Sequence, residues 1–427
     1  MMNEKSFPSK QKHVIVGNSA AALSAIKAIR ESDSRSSITL ISAERCFAYS
    51  PVLLTYYVGQ KIDRESLFIV DRSFYERHKV ELILGNKAKE VDPEEQLLHL
   101  ADGNIVEYDN LLIATGSSPK RLGIEGENLP GVFTLKTLDD ADKLLKYSDR
   151  MTQVVIIGGG LIGLQAANAL FREGRRLTMV IGSKQPLSQN VDPSCAQSIC
   201  QGIRDCGMSI LFESNAVSIQ RSNTKLLIDL DSGQRLDADA VIIGKGVNPN
   251  IALVEKNGIE VNRGVIVDET MRSNFPNVFA AGDVAEGRNL VSGERQVIAT
   301  WANACSQGKT AGINMAGGKG RFLGLTGNVC SFLGRTVASV GITKPENGDY
   351  EEIVYSDPGK GLYRKLVWNE KGQIMGAVLM GKVEDIGVIT NLIRNRARIP
   401  KDKRYHLVRS TVKYGAYFSQ KTGHFLW

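Results

Sequence analysis

The feature that most limits what this chain can fold into is a segment that occurs twice. "KHVIVGNSAAALSAIKAIR" begins at Lys12 and "QVVIIGGGLIGLQAANALF" at Gln153, about 140 residues later. Each reads as a buried β-branched strand, a turn of small residues and an alanine-rich helix, which is how a βαβ unit opens. A further apolar strand follows each, "SSITLISAE" and "RRLTMVIGS". Two such openings predict an α/β chain with two Rossmann-like dinucleotide-binding domains.

A length of 427 residues accommodates two or three domains. Downstream of the repeats, "YDNLLIATGSSP" (Tyr108 to Pro119) and "ADAVIIGKGVNPN" (Ala238 to Asn250) are buried strands that stop at glycine-bearing turns, suited to carry the chain between domains. The first domain is therefore expected at 1–118 and 249–320, split by a second at 119–248. From Arg321 the texture changes to alternating strands, "TVASVGIT" and "YRKLVWNEKGQIMGAVLMG", followed by one helix, "EDIGVITNLIRN". That pattern predicts a C-terminal α+β domain at 321–400, with 401–427 left as a basic, aromatic tail.

Composition narrows the function classes. Hydrophobic residues at 42% and charged residues at 23% are those of a soluble globular protein. No apolar run approaches the ~20 residues of a membrane span. The opening "MMNEKSFPSKQK" has no apolar signal core, which points to the cytoplasm. Six cysteines, Cys46, Cys195, Cys200, Cys206, Cys305 and Cys330, form no Cys-x-x-Cys pair, so neither disulfides nor a metal site is expected. Cys195, Cys200 and Cys206 match no common iron–sulfur spacing and read as reduced thiols of a packed helix. From Asn391 onward nine basic residues stand against one acid, leaving 44 against 45 in the rest of the chain, so the net +7 belongs to the tail. No recognition fold accompanies that charge, and nucleic acid is not an expected partner.

The turns carry the chemistry. Gly17-x-Ser19-x-x-Ala22 lets a strand bend sharply into a helix whose N-terminus accepts a pyrophosphate, although serine and alanine stand where glycines are commoner. Glu44, beyond the second strand, is placed to hold an adenosine ribose. Gly158-x-Gly160-x-x-Gly163 is a full fingerprint in the right context, directly after "QVVII". The acid expected after its following strand is missing, however, since the residues there are Ile181, Gly182, Ser183 and Lys184. NAD and NADP both stay open, with Lys184 or Arg175 available for a 2′-phosphate. In "NVFAAGDVA" a strand ends in Gly282-Asp283, whose carboxylate suits the hydroxyls of a ribityl chain. A helix starting near Ala299 to Trp301 would aim backbone N–H groups at a flavin's N1 and C2 carbonyl.

These pieces, with "LLIATGSSP", "VIIGKGVNPN" and "GAVLMG", resemble the flavoprotein class of glutathione and lipoamide reductases, NADH oxidases, and rubredoxin and ferredoxin reductases. The C-terminal part is similar to that of rubredoxin reductases and nitrite reductase flavin modules. The resemblance implies FAD at Gly17, Ser19, Ala20, Glu44, Arg45, Ser50, Thr115, Gly116, Gly282, Asp283, Trp301 and Ala302. It implies NAD or NADP at Gly158, Gly160, Leu161, Ile162, Gly163, Gly244 and Gly246, with Tyr49 and Ser50 near the flavin. Members that work through a thiol carry a cysteine in the loop that here reads Tyr49-Ser50-Pro51. A serine hydroxyl has no thiolate state and cannot relay two electrons, so disulfide and thiol-peroxide chemistry is excluded. Gln165 stands where the family has a glutamate.

What remains is hydride exchange between NAD(P)H and FAD, then single-electron exchange with an external iron–sulfur protein or subunit. An acidic partner would be steered to the C-terminal domain and basic tail. By resemblance the chain is a flavoprotein subunit of a hetero-oligomeric complex of the aldehyde or 2-oxoacid oxidoreductase type, as in phenylglyoxylate dehydrogenase or tungsten aldehyde oxidoreductase complexes. A free rubredoxin or ferredoxin reductase, an NAD(P)H oxidase and a non-catalytic flavin-binding scaffold are the alternatives.

Overall fold

A computed structural model describes residues 10–345 and 348–409. The first repeat folds as β1 (Lys12–Val16), α1 (Ala20–Ser32) and β2 (Ser37–Ser42), with α2 (Leu54–Val58), β3 (Val80–Leu84), β4 (Asn110–Ile113) and β5 (Ser117–Pro119) after it. The second unit contains α3 (Leu138–Tyr147), β6 (Gln153–Ile157), α4 (Leu161–Leu170), β7 (Arg176–Ile181), α5 (Pro193–Asp205), β8 (Ser209–Phe212), β9 (Ala240–Ile243) and β10 (Val247–Pro249). The chain then adds β11 (Val278–Ala280) and α6 (Trp301–Met315). It ends with β12 (Gly327–Phe332), β13 (Arg335–Gly341), β14 (Tyr350–Asp357), β15 (Leu362–Asn369), β16 (Ile374–Met380), α7 (Ile386–Arg394) and α8 (Lys401–Arg409).

The first parallel sheet has the order β11-β4-β1-β2-β3 and the second β8-β7-β6-β9, with the short strand Val132–Phe133 at its edge. Order 3-2-1-4 around the glycine turn is that of a doubly wound dinucleotide fold, and it occurs twice. These strands carry near-continuous apolar runs because helices cover both faces. Each unit also has a three-stranded antiparallel sheet, at Ala88–Glu107 in the first and Ala216–Ala238 in the second. The two strands expected to carry the chain across, β5 and β10, pair antiparallel with each other, Asn248 opposite Ser118.

α1 and α6 lie unusually close. A Cβ on Gly308 would sit 2.0 Å from the Ala21 carbonyl oxygen, and one on Gly312 would sit 2.5 Å from that of Ala25. Only glycine on one helix and alanine on the other lets the two backbones meet at that distance. Both helix N-termini are thereby brought to the same end of the first sheet.

The C-terminal sheet, β12-β13-β16-β15-β14, is antiparallel and covered on both faces. Phe332, Tyr363, Val378 and Met380 share a core with Leu164, Cys195 and Ile199 of the second unit. Leu366, Trp368 and Leu379 point the other way, under Ile389 and Leu392 of α7.

The expectation of one helix followed by a tail from 401 is corrected here. Residues 401–409 form α8, whose Leu407 and Val408 are fully buried in that second core. Arg364, bonded to both oxygens of Asp385 at 3.0 and 2.7 Å, also reaches the Leu407 carbonyl, and Arg404 pairs with Glu351. The tail expected beyond residue 409 lies outside the described residues. The helix expected around Cys195 is α5, with Cys195 and Cys200 buried in it.

Candidate active site

Three helices start at the C-terminal ends of the parallel strands, and their side chains leave the first-turn donors open. Ser19, Gly160 and Thr300 cap α1, α4 and α6 without any side-chain bond. By contrast, Thr137 with Asp140 closes α3 and Asp192 closes α5. Uncapped N–H groups at a helix start form a ready anion site.

The glycine turns hold these helices in place. Gly17 has φ +117° and its Cβ would lie 2.1 Å from the Ala114 carbonyl oxygen. Gly158 repeats this at φ +124° and 2.3 Å from the Gly244 oxygen. Gly163 packs the helix onto the turn, 2.0 Å from the Gly158 oxygen by the same measure. At Gly160, Gly116 and Gly246 nothing lies within 4 Å of that position, so their backbones face open space. Leu161 and Ile162 are half-buried in the first turn of α4, whereas Ala20 is buried in α1. The substituted turn Gly17-x-Ser19-x-x-Ala22 therefore repeats the bend of the full one at Gly17, whereas Ala22, which carries a Cβ, cannot approach Gly17 as Gly163 approaches Gly158.

Around the first unit the expected residues converge from four segments. One oxygen of Asp283, Oδ2, accepts from the Ser117 hydroxyl at 2.6 Å and from Lys136 Nζ at 3.0 Å. The Gly282 N–H donates to the buried side-chain oxygen of Gln307 at 2.8 Å. Trp301 is half-buried and Ala302 exposed at the start of α6. Thr115 is spent on the crossover, its hydroxyl donating to the Asn250 carbonyl at 2.9 Å while Asn250 Nδ2 returns a bond to the Thr115 carbonyl. Lys136 was not legible in the sequence, because it lies 147 positions from its partner. Its one local signal is its place just before the Thr137-x-x-Asp140 capping box.

Glu44 and Tyr49 form a pair. The Tyr49 hydroxyl donates to Glu44 Oε2 at 2.9 Å and accepts the Leu138 N–H at 3.0 Å. Desolvation raises the Glu44 carboxyl above its usual range, against the lowering effect of the Tyr49 bond. Arg45 is exposed, with its stem against Gly85. Ser50 is buried and its N–H donates to the Leu67 carbonyl at 2.9 Å, starting the turn Pro51–Leu53 that leads into α2. The thiol nearest in sequence, Cys46, is pushed up to about 11, mainly by burial.

In the second unit no acid follows β7. Ser183 donates to the Gln185 carbonyl at 2.8 Å and Lys184 is exposed. Lys245 bonds Asn215 at 3.1 Å and overhangs Gly182. Arg175 is corrected as a phosphate candidate. Its guanidinium donates to the carbonyls of Met151, Leu170 and Ser148 at 2.9, 3.0 and 2.6 Å, beside the opposite end of β7. Gln165 ties three segments together, accepting from Thr55 at 3.3 Å and reaching Cys330 Sγ at 3.6 Å.

Residues 11–308 match the pyridine nucleotide-disulphide oxidoreductase family. The chain belongs to it. Residues 328–397 of this pyridine nucleotide-disulphide oxidoreductase match a second family, the rubredoxin NAD+ reductase C-terminal domain. The epsilon subunit of NADH-dependent phenylglyoxylate dehydrogenase from Aromatoleum evansii is 34% identical over 389 residues, covering 90% of this chain and 92% of that one. Rubredoxin-NAD(+) reductase from Pseudomonas putida is 29% identical over 306 residues, 71% and 80% of the two chains. Among solved structures, an NAD-dependent persulfide reductase from A. fulgidus superimposes with a TM-score of 0.85 at 25% identity, over 91% of this chain and 77% of that one.

Family membership implies FAD and NAD(P)H, and makes the chain a flavin-dependent NAD(P)H oxidoreductase. Its residues fit both groups. There are two sharp glycine turns, each opening an uncapped helix, and one further uncapped helix beside an aspartate at a strand end. Among the described residues no helix is long and apolar enough to cross a membrane, and no cluster of metal-ligating side chains occurs.

Proposed function

We propose that this enzyme passes electrons between NAD(P)H and a separate iron–sulfur protein or subunit, as the flavoprotein component of a larger oxidoreductase complex. The observation that carries this reading is the loop Tyr49-Ser50-Pro51, which presents no sulfur where thiol-dependent members need one. All six cysteines are free, and burial raises the thiols of Cys46, Cys195, Cys200 and Cys330. None of these four is suited to act as a thiolate relay at pH 7. A bound flavin supplies hydride exchange with nicotinamide and release of electrons one at a time. Relatives named for rubredoxin and for an epsilon subunit support an external acceptor and a place in an assembly.

The chain's own residues divide the work. Gly17, Ser19 and the open first turn of α1, with Ala20, take the FAD pyrophosphate, and Glu44 beside Arg45 takes the adenosine ribose. Asp283 holds the ribityl hydroxyls through its free oxygen, with Lys136 and Ser117 fixing the other. Gly282 and the turn of Thr115 and Gly116 bring backbone close to the same chain. The start of α6 at Trp301 and Ala302 aims N–H donors at the flavin's pyrimidine edge. Gly158, Gly160, Leu161, Ile162 and Gly163 take NAD or NADP, with Gly244 and Gly246 flanking. An acidic partner docks on the C-terminal domain, where Arg394, Arg396, Arg398, Lys401 and Lys403 are exposed and Asp402 is the only acid between them.

The test is anaerobic reduction of the FAD-loaded chain by NADH or NADPH, followed by reoxidation with rubredoxin, a ferredoxin or oxygen. Fast bleaching by one nucleotide and reoxidation much faster by an iron–sulfur protein than by oxygen is expected. Oxygen turnover as fast as bleaching would overturn the reading in favour of an oxidase, and failure of both nucleotides to bleach the flavin would favour a scaffold.

A further inference from the structure

Tyr49 belongs to the loop after β2, yet its ring is buried in the core of the other nucleotide unit, with Leu135, Leu138 and Leu164. Its hydroxyl has one proton and two acceptor positions. The Leu138 N–H fills an acceptor position, so the proton is turned to Glu44 Oε2. Glu44 is exposed as a residue although its carboxyl is partly desolvated, and its backbone is pinned at both groups: its N–H donates to the Ser42 hydroxyl at 3.2 Å and its carbonyl accepts from Gly85 at 3.1 Å. Its other carboxylate oxygen, Oε1, has no hydrogen bond among the described residues. An exposed glutamate ordinarily samples several rotamers, and holding one costs side-chain entropy.

We propose that Tyr49 is a positioning residue for FAD, holding the Glu44 carboxylate ready for the adenosine ribose and tying it to the first turn of α3. This rests on the reading of Glu44 as the ribose ligand. A buried tyrosine with a single hydroxyl orientation spares the ligand the cost of ordering Glu44. Oε2 is occupied, which would leave Oε1 for a ribose hydroxyl. The same turn reaches the other flavin acid, because Lys136, two residues before Leu138, is the cation on Asp283. The segment 136–138 thus straps the two carboxylates that would hold the ribityl chain and the adenosine ribose on either side of the pyrophosphate.

The experiment measures the affinity of the full-length apo chain for FAD and for an FAD analogue lacking the adenosine 2′-hydroxyl, by flavin fluorescence, in wild type, Tyr49→Phe and Glu44→Asp. Wild type is expected to prefer FAD by about tenfold, the worth of one hydrogen bond to a charged group. Tyr49→Phe is expected to bind FAD about tenfold more weakly and to lose the preference, with the apo melting temperature showing that the chain has folded. Glu44→Asp, one methylene short of the hydroxyl, is expected to do the same and stands in if Tyr49→Phe fails to fold. A preference kept in Tyr49→Phe overturns the inference and leaves the ribose assignment intact, whereas a preference kept in Glu44→Asp overturns both. Absence of any preference in wild type overturns the ribose assignment of Glu44 itself.

Discussion

His13 sits fully buried in β1, and neither ring nitrogen has a hydrogen-bond partner among the described residues. Asp33 approaches Nε2 only to 4.0 Å. Burial is the main cause that brings the imidazole down to about 4, outweighing the pull of Asp33. In the unfolded chain it titrates near 6.5. Between those values the unfolded chain holds a proton that the folded one lacks, so stability rises with pH through that window. Acidification from pH 7 to pH 5 is expected to remove about 2 kcal/mol. At Asp33 burial opposes the charge, but bonds from the Ser36 hydroxyl and the Ser36 and Arg35 N–H groups bring it to about 2, so its own loss comes only at lower pH. Urea unfolding at the two pH values checks this. The His13→Leu variant should lose the difference, and a wild-type stability unchanged between pH 7 and 5 would refute the assignment.

At the scale of elements, the α1–α6 contact decides how the two uncapped helix ends proposed to face the flavin meet. Gly308→Ala must push its new methyl into the Ala21 carbonyl, a backbone atom that cannot rotate aside. It is expected to cost about 1–3 kcal/mol by overpacking and to loosen FAD. Gly387→Ala in α7 meets nothing within 4 Å and should instead stabilise by up to ~1 kcal/mol through helix propensity. Urea midpoints of the two variants should therefore move in opposite directions; a shift of the same sign in both would refute the packing argument. The same elements show what could be read beforehand. β1–α1–β2 and β6–α4–β7 were legible because strand, turn and helix are contiguous and each has its own period. α8 was not, since "KDKRYHLVR" offers only Leu407 and Val408 to bury and the helix is fixed by a sheet formed from distant strands. Asp283 was legible from its strand end, whereas Lys136, Ser117 and Gln307, which orient that turn, come from elsewhere in the chain. Arg175 was misread because its charge is visible in sequence and its carbonyl partners are not.

In the whole molecule, the C-terminal sheet stands between the exposed cations of residues 394–403 and the second nucleotide unit. One face is joined to the second unit through Asp192, which caps α5 and accepts the Tyr363 hydroxyl at 2.8 Å; the other face lies under α7 and α8. Helix and sheet layers pack about 10 Å apart, so a partner on that outer surface is separated from the second unit by two layers. Tunnelling decays exponentially with distance, whereas electrostatic steering reaches across a Debye length of about 8–10 Å in physiological salt. The cationic row is therefore suited to capture an acidic partner rather than to conduct electrons. Charge reversal at Arg396, Arg398, Lys401 and Lys403 is expected to lower kcat/KM for an acidic ferredoxin about tenfold or more at low ionic strength. It should leave kcat at saturating ferredoxin unchanged, and the difference should vanish near ~0.5 M salt. A fall in kcat equal to that in kcat/KM would put the row on the electron path. Identical kinetics at low salt would move docking to another surface, of which the exposed Val52 and Tyr56 beside the serine-bearing loop are the first to test.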